Sequence, residues 1–435
     1  MEDPRAIIAR EPMHYRQVIA VAIATALNAL DGFDVLSISF AAPGIARDWG
    51  IDRAALGLVL SMELFGMGIG AFVLGSLADK VGRRPMLLAC LVIMGIGMAM
   101  ASTASNVAIL SAYRLFTGLG IGGMLAATNA VVAECSNARR RNLTVAIMAG
   151  GYPMGAIVGG SAASWLLAAT GRWESVFEFG AVVTVAFIPL VLWLVPETMA
   201  FLLLKRPAGA LEKINHTLVR QGRQPLAALP PADPVQRKMG VGALFAPGMA
   251  SVTIMLTGTY FFHMMTFYFL VKWIPKIVVD LGFPAALAGG VLVWGNVGGA
   301  IGSIAVSLLS QKIGIRPVVI ASMFLAAMSV SVFGQGATTL GGLSLIAAAA
   351  CLFANGAIAG LYAVLAQSYP AALRAGGTGL VIGVGRAGAA LGPILAGLLF
   401  SAGWSLAPVA IAMACGTLIG GVLLSLVRYR ESEVA

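Results

Sequence analysis

The sequence predicts an all-α integral membrane protein with twelve transmembrane helices in two pseudo-symmetric six-helix halves. Its 435 residues are 59% hydrophobic and 11% charged, whereas soluble domains are about 25% charged. Twelve apolar runs are long enough to cross a bilayer as helices, six before residue 197 and six after residue 248. We therefore divide the chain into an N-terminal half at residues 1–196, a cytoplasmic linker at 197–248 and a C-terminal half at 249–435.

An internal repeat supports this division. The segment SLADKVGRRP at residues 76–85 aligns with LLSQKIGIRP at residues 308–317, and Gly155 aligns with Gly388 at almost the same offset. Parallel repeats of this kind place a substrate site near the bilayer midplane, between two halves that rock against each other. Within the linker, residues 208–221 predict an amphipathic helix that could lie on the membrane surface.

The distribution of lysine and arginine predicts the orientation. Most of the 28 basic residues fall in the N-terminal tail, the linker and alternate loops, which the positive-inside rule assigns to the cytoplasm. We expect a monomer in the inner membrane with both termini cytoplasmic. The anionic inner leaflet explains the net charge of +10, so no nucleic-acid partner is expected. The basic residues assigned to the outside are Arg47, Arg53, Arg172, Lys272 and Lys276.

Two acids in the first predicted span are the candidates for proton coupling. Asp31 and Asp34 lie one helical turn apart in the middle of an apolar run, where an unpaired charge costs several kcal/mol or more. A carboxylate at this depth indicates a functional site. The alternative is that one of them pairs with a base on a neighbouring helix.

One base and several aromatic residues are candidates for the substrate site. Arg386 is expected near mid-membrane, where its guanidinium could bind a substrate carboxylate in bidentate fashion or form a permanent salt bridge to an aspartate. The seventh helix carries an aromatic run around His263 and Phe267, which suits a planar ring or faces lipid. His263 could equally be a packing residue. The proposed substrate residues are Arg386, His263, Asp34, Trp294, Asn296, Tyr152 and Phe267.

Charged residues nearer the helix ends are candidates for gates. Arg83 and Arg84 can bind Asp79 or a helix C-terminus while the cytoplasmic side is shut, and must separate when it opens. They would also orient the chain. Glu63 and Arg114 could pair with each other, or Arg114 could reach Asp34. The residues proposed for gating are Gly75, Asp79, Arg83, Arg84, Arg114, Glu134 and Arg141.

Several of these segments resemble known motifs. GSLADKVGRR at residues 75–84, RLFTGLGIGG at 114–123 and PETMAFL at 196–202 resemble motifs of the major facilitator superfamily. Within it, DGFD at 31–34 and VGRAG at 384–388 resemble the aromatic acid:proton symporter family. The resemblance implies the superfamily fold and symport of an organic acid, usually aromatic, with protons.

These observations predict a proton-coupled symporter that imports a small aromatic carboxylate, such as a benzoate or hydroxybenzoate, by alternating access. The alternatives are an importer of a non-aromatic organic acid, an exporter or facilitator on the same fold, or a membrane sensor. The three histidines are scattered and there is no metal motif or nucleotide-binding loop, so neither an enzyme nor a cofactor is expected. Which aspartate carries the proton stays open at this point.

Overall fold

The computed structural model describes residues 4–230, 241–247 and 249–427. Over these ranges the protein is helical, and twelve helices are long and apolar enough to cross a membrane, which confirms the predicted number. The spanning helices of the N-terminal half are α2 (Tyr15–Trp49), α3 (Arg53–Val81), α4 (Arg83–Ala101), α5 (Val107–Cys135), α6 (Arg141–Thr170) and α7 (Glu174–Leu194). Those of the C-terminal half are α10 (Ala250–Asp280), α11 (Ala285–Ile313), α12 (Ile315–Phe333), α13 (Leu340–Ser368), α14 (Ala371–Ser401) and α15 (Leu406–Leu426).

Local chemistry explains how neighbouring helices are joined by short turns. Helix α2 ends at Gly50, whose φ of 59° is the left-handed conformation that glycine adopts most easily. Two residues later Asp52 caps α3, because its carboxylate accepts a hydrogen bond from the N–H of Ala55 at 3.0 Å. The C-cap of one helix and the N-cap of the next thus lie two residues apart, and the chain reverses its direction within a few residues.

The two halves repeat each other in detail. In the first half, Arg84 donates a hydrogen bond to the carbonyl oxygen of Leu192 at the end of α7. In the second half, Arg316 donates to the carbonyl oxygen of Leu424 at the end of α15, at 2.9 Å. These arginines and these leucines are separated by the same offset that aligns the two sequence segments. The predicted repeat is therefore a repeat of structure.

Glycine allows the helices that carry the candidate acids and Arg386 to pack backbone to backbone. A Cβ atom on Gly155 of α6 would lie 1.7 Å from the carbonyl oxygen of Ala29 in α2. At the equivalent place in the second half, a Cβ on Gly388 of α14 would lie 2.2 Å from the carbonyl oxygen of Phe261 in α10. Small residues are what permit such approaches in lipid, where helix association depends on close packing.

The two halves touch near one face of the membrane and stand apart near the other. We call the face that carries α1 (Pro4–Arg10) and the end of α15 the terminal face, and the other the opposite face. Near the opposite face, Arg53 binds Asp280 at 3.1 Å and the N–H of Ala54 binds Ser401 at 2.9 Å. The described side-chain hydrogen bonds between spans of the two halves lie between the midplane and this face. The described conformation is therefore closed at the opposite face and open toward the terminal face.

The first part of the segment between the halves folds against the N-terminal helix α1, and its last part packs on α10 and α14. It contains α8 (Met199–Lys205), α9 (Ala210–Arg220) and a 3-10 helix at Val241–Phe245. The predicted amphipathic helix is thus present as α9, and its apolar residues pack against α1 and α8 in a small core of their own. Its position on the membrane surface stays a prediction. Residues 231–240 and 248 of the predicted linker, and residues 1–3 and 428–435 of the two predicted halves, lie outside the described residues.

The contact between α2 and α6 leads to a stability prediction. We expect Gly155→Val to lower the thermal unfolding midpoint in detergent by several degrees, because the new side chain overlaps backbone and overpacking costs about 1–3 kcal/mol or more. The matched control is Gly150→Val in the same helix, which has open space beside it and the same change in helix propensity. Equal midpoints for the two variants would show that α2 and α6 do not pack as described.

Candidate functional site

Asp31 and Asp34 lie in the middle of α2. Asp31 is within range of the charge of Arg386 in the C-terminal half, whereas the Asp34 carboxylate lies beside Gly180 of α7, inside the N-terminal half. The two aspartates are 2% and 0% exposed, and none of their four carboxylate oxygens has a hydrogen-bond partner among the described residues. Arg114 does reach Asp34, but its guanidinium donates to the backbone carbonyl oxygen at 2.9 Å and not to the side chain. In this conformation, therefore, neither aspartate side chain forms a structural salt bridge with a described residue, which was the alternative to a functional role.

Arg386 lies in the middle of α14, in the C-terminal half. Its side chain is partly exposed, and its charge acts on Asp31, Tyr260 and Tyr268. Neither Asp31 nor Asp34 hydrogen bonds with it, since both oxygens of each carboxylate are without partners in the described ranges. A guanidinium that is close to an acid but not bound to it is available to a ligand.

Four tyrosines lie near Arg386 or Asp31, or contact a tyrosine that does. The hydroxyl groups of Tyr260 and Tyr362 lie 3.2 Å apart, and the hydroxyl of Tyr152 in α6 interacts with that of Tyr268 in α10, across the two halves. Of the four, only Tyr152 is among the residues predicted from sequence. Tyr260 and Tyr268 lie within the aromatic run of the seventh span and could have been chosen from it, whereas Tyr362 stands in an alanine-rich helix with no such signal.

The structure corrects the assignment of His263. The ring is fully buried inside the C-terminal half, with Nδ1 2.5 Å from the hydroxyl of Thr417 and Nε2 3.0 Å from the carbonyl oxygen of Ala354. Both ring nitrogens are occupied by the protein, as expected for a buried polar group that stabilises packing. We remove His263 from the substrate site and assign it the packing role.

The structure also corrects the assignment of Trp294. Its side chain is 57% exposed, and Leu287 and Ile301, one heptad before and after it on α11, are exposed as well. These three residues therefore form a stripe on the outer surface of the bundle, where an aromatic ring faces lipid. Asn296 points to the inner side and donates to the carbonyl oxygen of Leu292 at 2.9 Å, and Phe267 is buried with its ring edge-on to Tyr268.

A second group of charges lies between the midplane and the opposite face, and all of its members are paired. Glu63 of α3 binds Arg114 of α5 at 2.5 Å and Lys272 of α10 at 3.3 Å, and all three side chains are 0% exposed. Of the two partners considered for the Arg114 side chain, Glu63 and Asp34, the structure thus shows the ion pair with Glu63. The assignment of Lys272 to the outside is wrong, because its ammonium is buried in the span against Glu63.

The proposed gate at the terminal face is a network within the N-terminal half. Arg83 binds Asp79 at 3.1 Å and Glu134 at 3.0 Å, and its backbone N–H donates to Glu197 at 3.0 Å. Burial raises the pKa of the Glu197 carboxyl, and hydrogen bonds that it accepts from nearby backbone N–H groups partly oppose that shift. Arg83 stays paired with Asp79 although the halves stand apart at this face, so the expectation that this pair must separate on opening is wrong.

Three other residues proposed for gating lie around this network. Arg84 donates to the end of α7, as described above. Gly75 lets α3 approach α5, since a Cβ there would lie 3.3 Å from the Cβ of Ala126. Arg141 begins α6 and is exposed, and no ion pair to it occurs within the described part of the chain. Their gating roles stay predictions.

The protein has the general architecture of a secondary transporter: twelve spans form two repeated halves, with a polar site at mid-membrane between them. The family model of the Major Facilitator Superfamily matches residues 24–294 and 256–435, so the chain belongs to that superfamily. A solved structure of a D-xylose-proton symporter matches with a TM-score of 0.72 at 17% identity, over 94% of this chain and 96% of that one. That likeness confirms the fold.

Curated relatives extend the match over almost the whole chain. It is 30% identical to the 3-(3-hydroxy-phenyl)propionate transporter of Escherichia coli strain K12, over 96% of each chain. It is 30% identical to the 4-hydroxybenzoate transporter PcaK of Acinetobacter baylyi, over 93% of this chain and 89% of the relative. A gallate transporter of Pseudomonas putida is 29% identical over 93% and 90%. The protein is therefore a multi-pass membrane transporter and not an enzyme.

Proposed function

We propose that the protein is a proton-coupled symporter that imports a small aromatic carboxylate by alternating access. The observation that carries the proposal is that neither the Asp31 nor the Asp34 carboxylate has a hydrogen-bond partner among the described residues, while Asp31 lies near the guanidinium of Arg386 in the other half. The loop charges predict cytoplasmic termini in the inner membrane. On that assignment, the described conformation opens to the cytoplasm.

Arg386 and the tyrosines account for the class of substrate. A guanidinium in a site of low dielectric binds a carboxylate through two parallel N–H···O bonds. The rings of Tyr152, Tyr268 and Tyr260 can stack against an aromatic ring, and their hydroxyl groups can exchange hydrogen bonds with a ring hydroxyl. All three relatives above are named for acids that carry an aromatic ring, a carboxylate and at least one ring hydroxyl. We therefore favour a hydroxylated aromatic acid over an unsubstituted one.

The two aspartates account for the coupling. When the site opens to the outside, a proton neutralises Asp31 or Asp34, which leaves the Arg386 guanidinium free of competing negative charge. The substrate carboxylate then binds Arg386. The loaded protein closes to the outside and opens to the inside without a large unpaired charge in the membrane. Inside, the proton leaves, the aspartate attracts Arg386 again and the substrate is released. The movements of proton and substrate are thus coupled because the aspartate carboxylate and the substrate carboxylate compete for one guanidinium.

The residues near this path complete the proposed site. Phe267 and Asn296 lie on the inner faces of α10 and α11 and are proposed to shape the cavity around the ring. The division at residues 196 and 248 and the monomeric state belong to the same proposal, because a single chain already contains both halves and the complete site.

The first prediction concerns the two acids. We expect Asp31→Asn or Asp34→Asn to abolish accumulation driven by a pH gradient in proteoliposomes, because an amide keeps the shape but does not titrate near neutral pH. At the residue that carries the proton, exchange of labelled for unlabelled substrate without a gradient should survive. The control is Asp48→Asn, which alters an exposed ion pair with Arg47 at the opposite face.

The contrary outcome is equally clear. If both asparagine variants still concentrate 4-hydroxybenzoate against its gradient when only a proton gradient is supplied, symport through these residues is refuted. If substrate enters all variants and the parent only down its own gradient, the protein is a facilitator.

The second prediction concerns Arg386. We expect Arg386→Lys to raise the dissociation constant for 4-hydroxybenzoate at least about thirtyfold, because a point ammonium does not reproduce the planar two-pronged contact and such a loss costs roughly 2–5 kcal/mol. Binding is measured by titration calorimetry on purified protein. The control is Arg47→Lys, at an exposed position. Unchanged affinity in the Arg386 variant would remove this residue from the substrate site.

A further inference from the structure

The buried group of Glu63, Arg114 and Lys272 has a feature that the transport scheme above does not use, since it joins the two halves. Glu63 and Arg114 belong to the N-terminal half, whereas Lys272 belongs to α10 of the C-terminal half. The Lys272 ammonium lies 3.3 Å from Glu63 and also donates to the carbonyl oxygen of Val35 in α2. Both of its partners therefore lie in the other half.

The two cations of this group also bind the helix that carries the proposed proton sites. Arg114 binds the carbonyl oxygen of Asp34, and Lys272 binds that of the next residue, Val35. The two cations thus hold successive peptide groups of α2 while they share one carboxylate, Glu63. Any movement of α10 away from α2 at this depth must break the contacts of Lys272.

The contacts of this group respond unequally to opening. When the halves part at the opposite face, Arg114 stays with Glu63 because both move with the N-terminal half, so no acid is left unpaired. Lys272 alone loses its partners and must exchange them for water that enters the opened cavity. A second bridge between the halves, Arg53 with Asp280, lies at the surface, where water and salt screen an ion pair. The contact of Lys272 is shielded from such screening, because both side chains are 0% exposed.

We propose that Lys272 is a positioning residue that holds the transporter closed at the opposite face, through its contacts with Glu63 and Val35. The pair forms when the halves meet at this face and is replaced by hydration when they part. Lys272 thereby sets the balance between the two orientations of the empty protein, without contact with substrate. This inference needs alternating access but neither the aromatic substrate nor the proton coupling proposed above.

The test measures conformation in the ligand-free protein. Spin labels are attached to cysteines placed at positions 48 and 402, exposed residues of the two halves at the opposite face, in a background with Cys415→Ser because Cys415 is the exposed native cysteine among the described residues. Pulsed electron resonance in lipid nanodiscs then gives the distance distribution. We expect Lys272→Met to raise the ratio of long to short distances by about tenfold or more, the order expected for a lost buried charge contact.

Two controls separate this role from general damage. Lys272→Arg keeps the positive charge and should retain mostly short distances. Arg172→Met removes a base that pairs with Glu178 within the N-terminal half at the same face, and should leave the distribution unchanged. The unfolding midpoint of each variant shows that the protein remains folded.

A distance distribution in Lys272→Met equal to that of the parent would overturn the proposal. If binding of 4-hydroxybenzoate were lost in the same variant, Lys272 would instead be a substrate ligand. Because the distances are measured without substrate or gradient, failure of the proposed aromatic acid symport would leave this result standing, and the reverse also holds.

Discussion

A charge in the interior of a membrane must be paired, hydrated or neutralised, and this constraint organises the middle of the protein. Glu63, Arg114 and Lys272 satisfy it by pairing, so they contribute to structure and to the contact between halves. Asp31 and Asp34 do not satisfy it with any described protein group. Protons and water are the remaining ways to meet the constraint at these two acids, and an anionic substrate is a way to meet it at Arg386. Each of them is something that a symporter moves or admits.

The close packing of the helices makes this arrangement sensitive to rocking of the halves. Gly155 and Gly388 bring α6 onto α2 and α14 onto α10 at backbone distance, so each pair moves as one body. The acids and Arg386 therefore lie on opposite rigid bodies. In the proposed mechanism, a small rotation of one half would change which cation is near which acid, and charge balance at the midplane would be coupled to the direction of opening.

The fold can be predicted because membranes leave few choices. Hydropathy, the repeated segments and the distribution of basic residues determine the number, order and direction of spans, and the structure agrees on number and repeat. Depth is also predictable, since Asp31, Asp34 and Arg386 each fall in the middle of a long apolar run. Rotation of each helix about its axis is not. For that reason the sequence assigns His263 and Trp294 to the cavity, although one is buried in its own half and the other faces lipid.

The same limit explains the residues that sequence reasoning misses. Tyr362 has no neighbours in sequence that mark it, and it joins the site only because α13 packs beside α10 in the folded protein. Lys272 resembles a loop residue in the sequence because Lys276 and Asp280 follow it closely. Its partner Glu63 lies on a distant helix, and only the packed halves bring the two together. Partners across a boundary are set by tertiary packing, which composition and periodicity do not encode.

The central claim is that substrate and proton cross together, and simultaneous measurement of both tests it most directly. Proteoliposomes in weak buffer receive 4-hydroxybenzoate outside, with no pH gradient, while substrate entry and external pH are recorded together. The account predicts that the medium becomes more alkaline as substrate enters, with a constant ratio of protons to substrate over time. Substrate entry mediated by the protein without any change in external pH would contradict it.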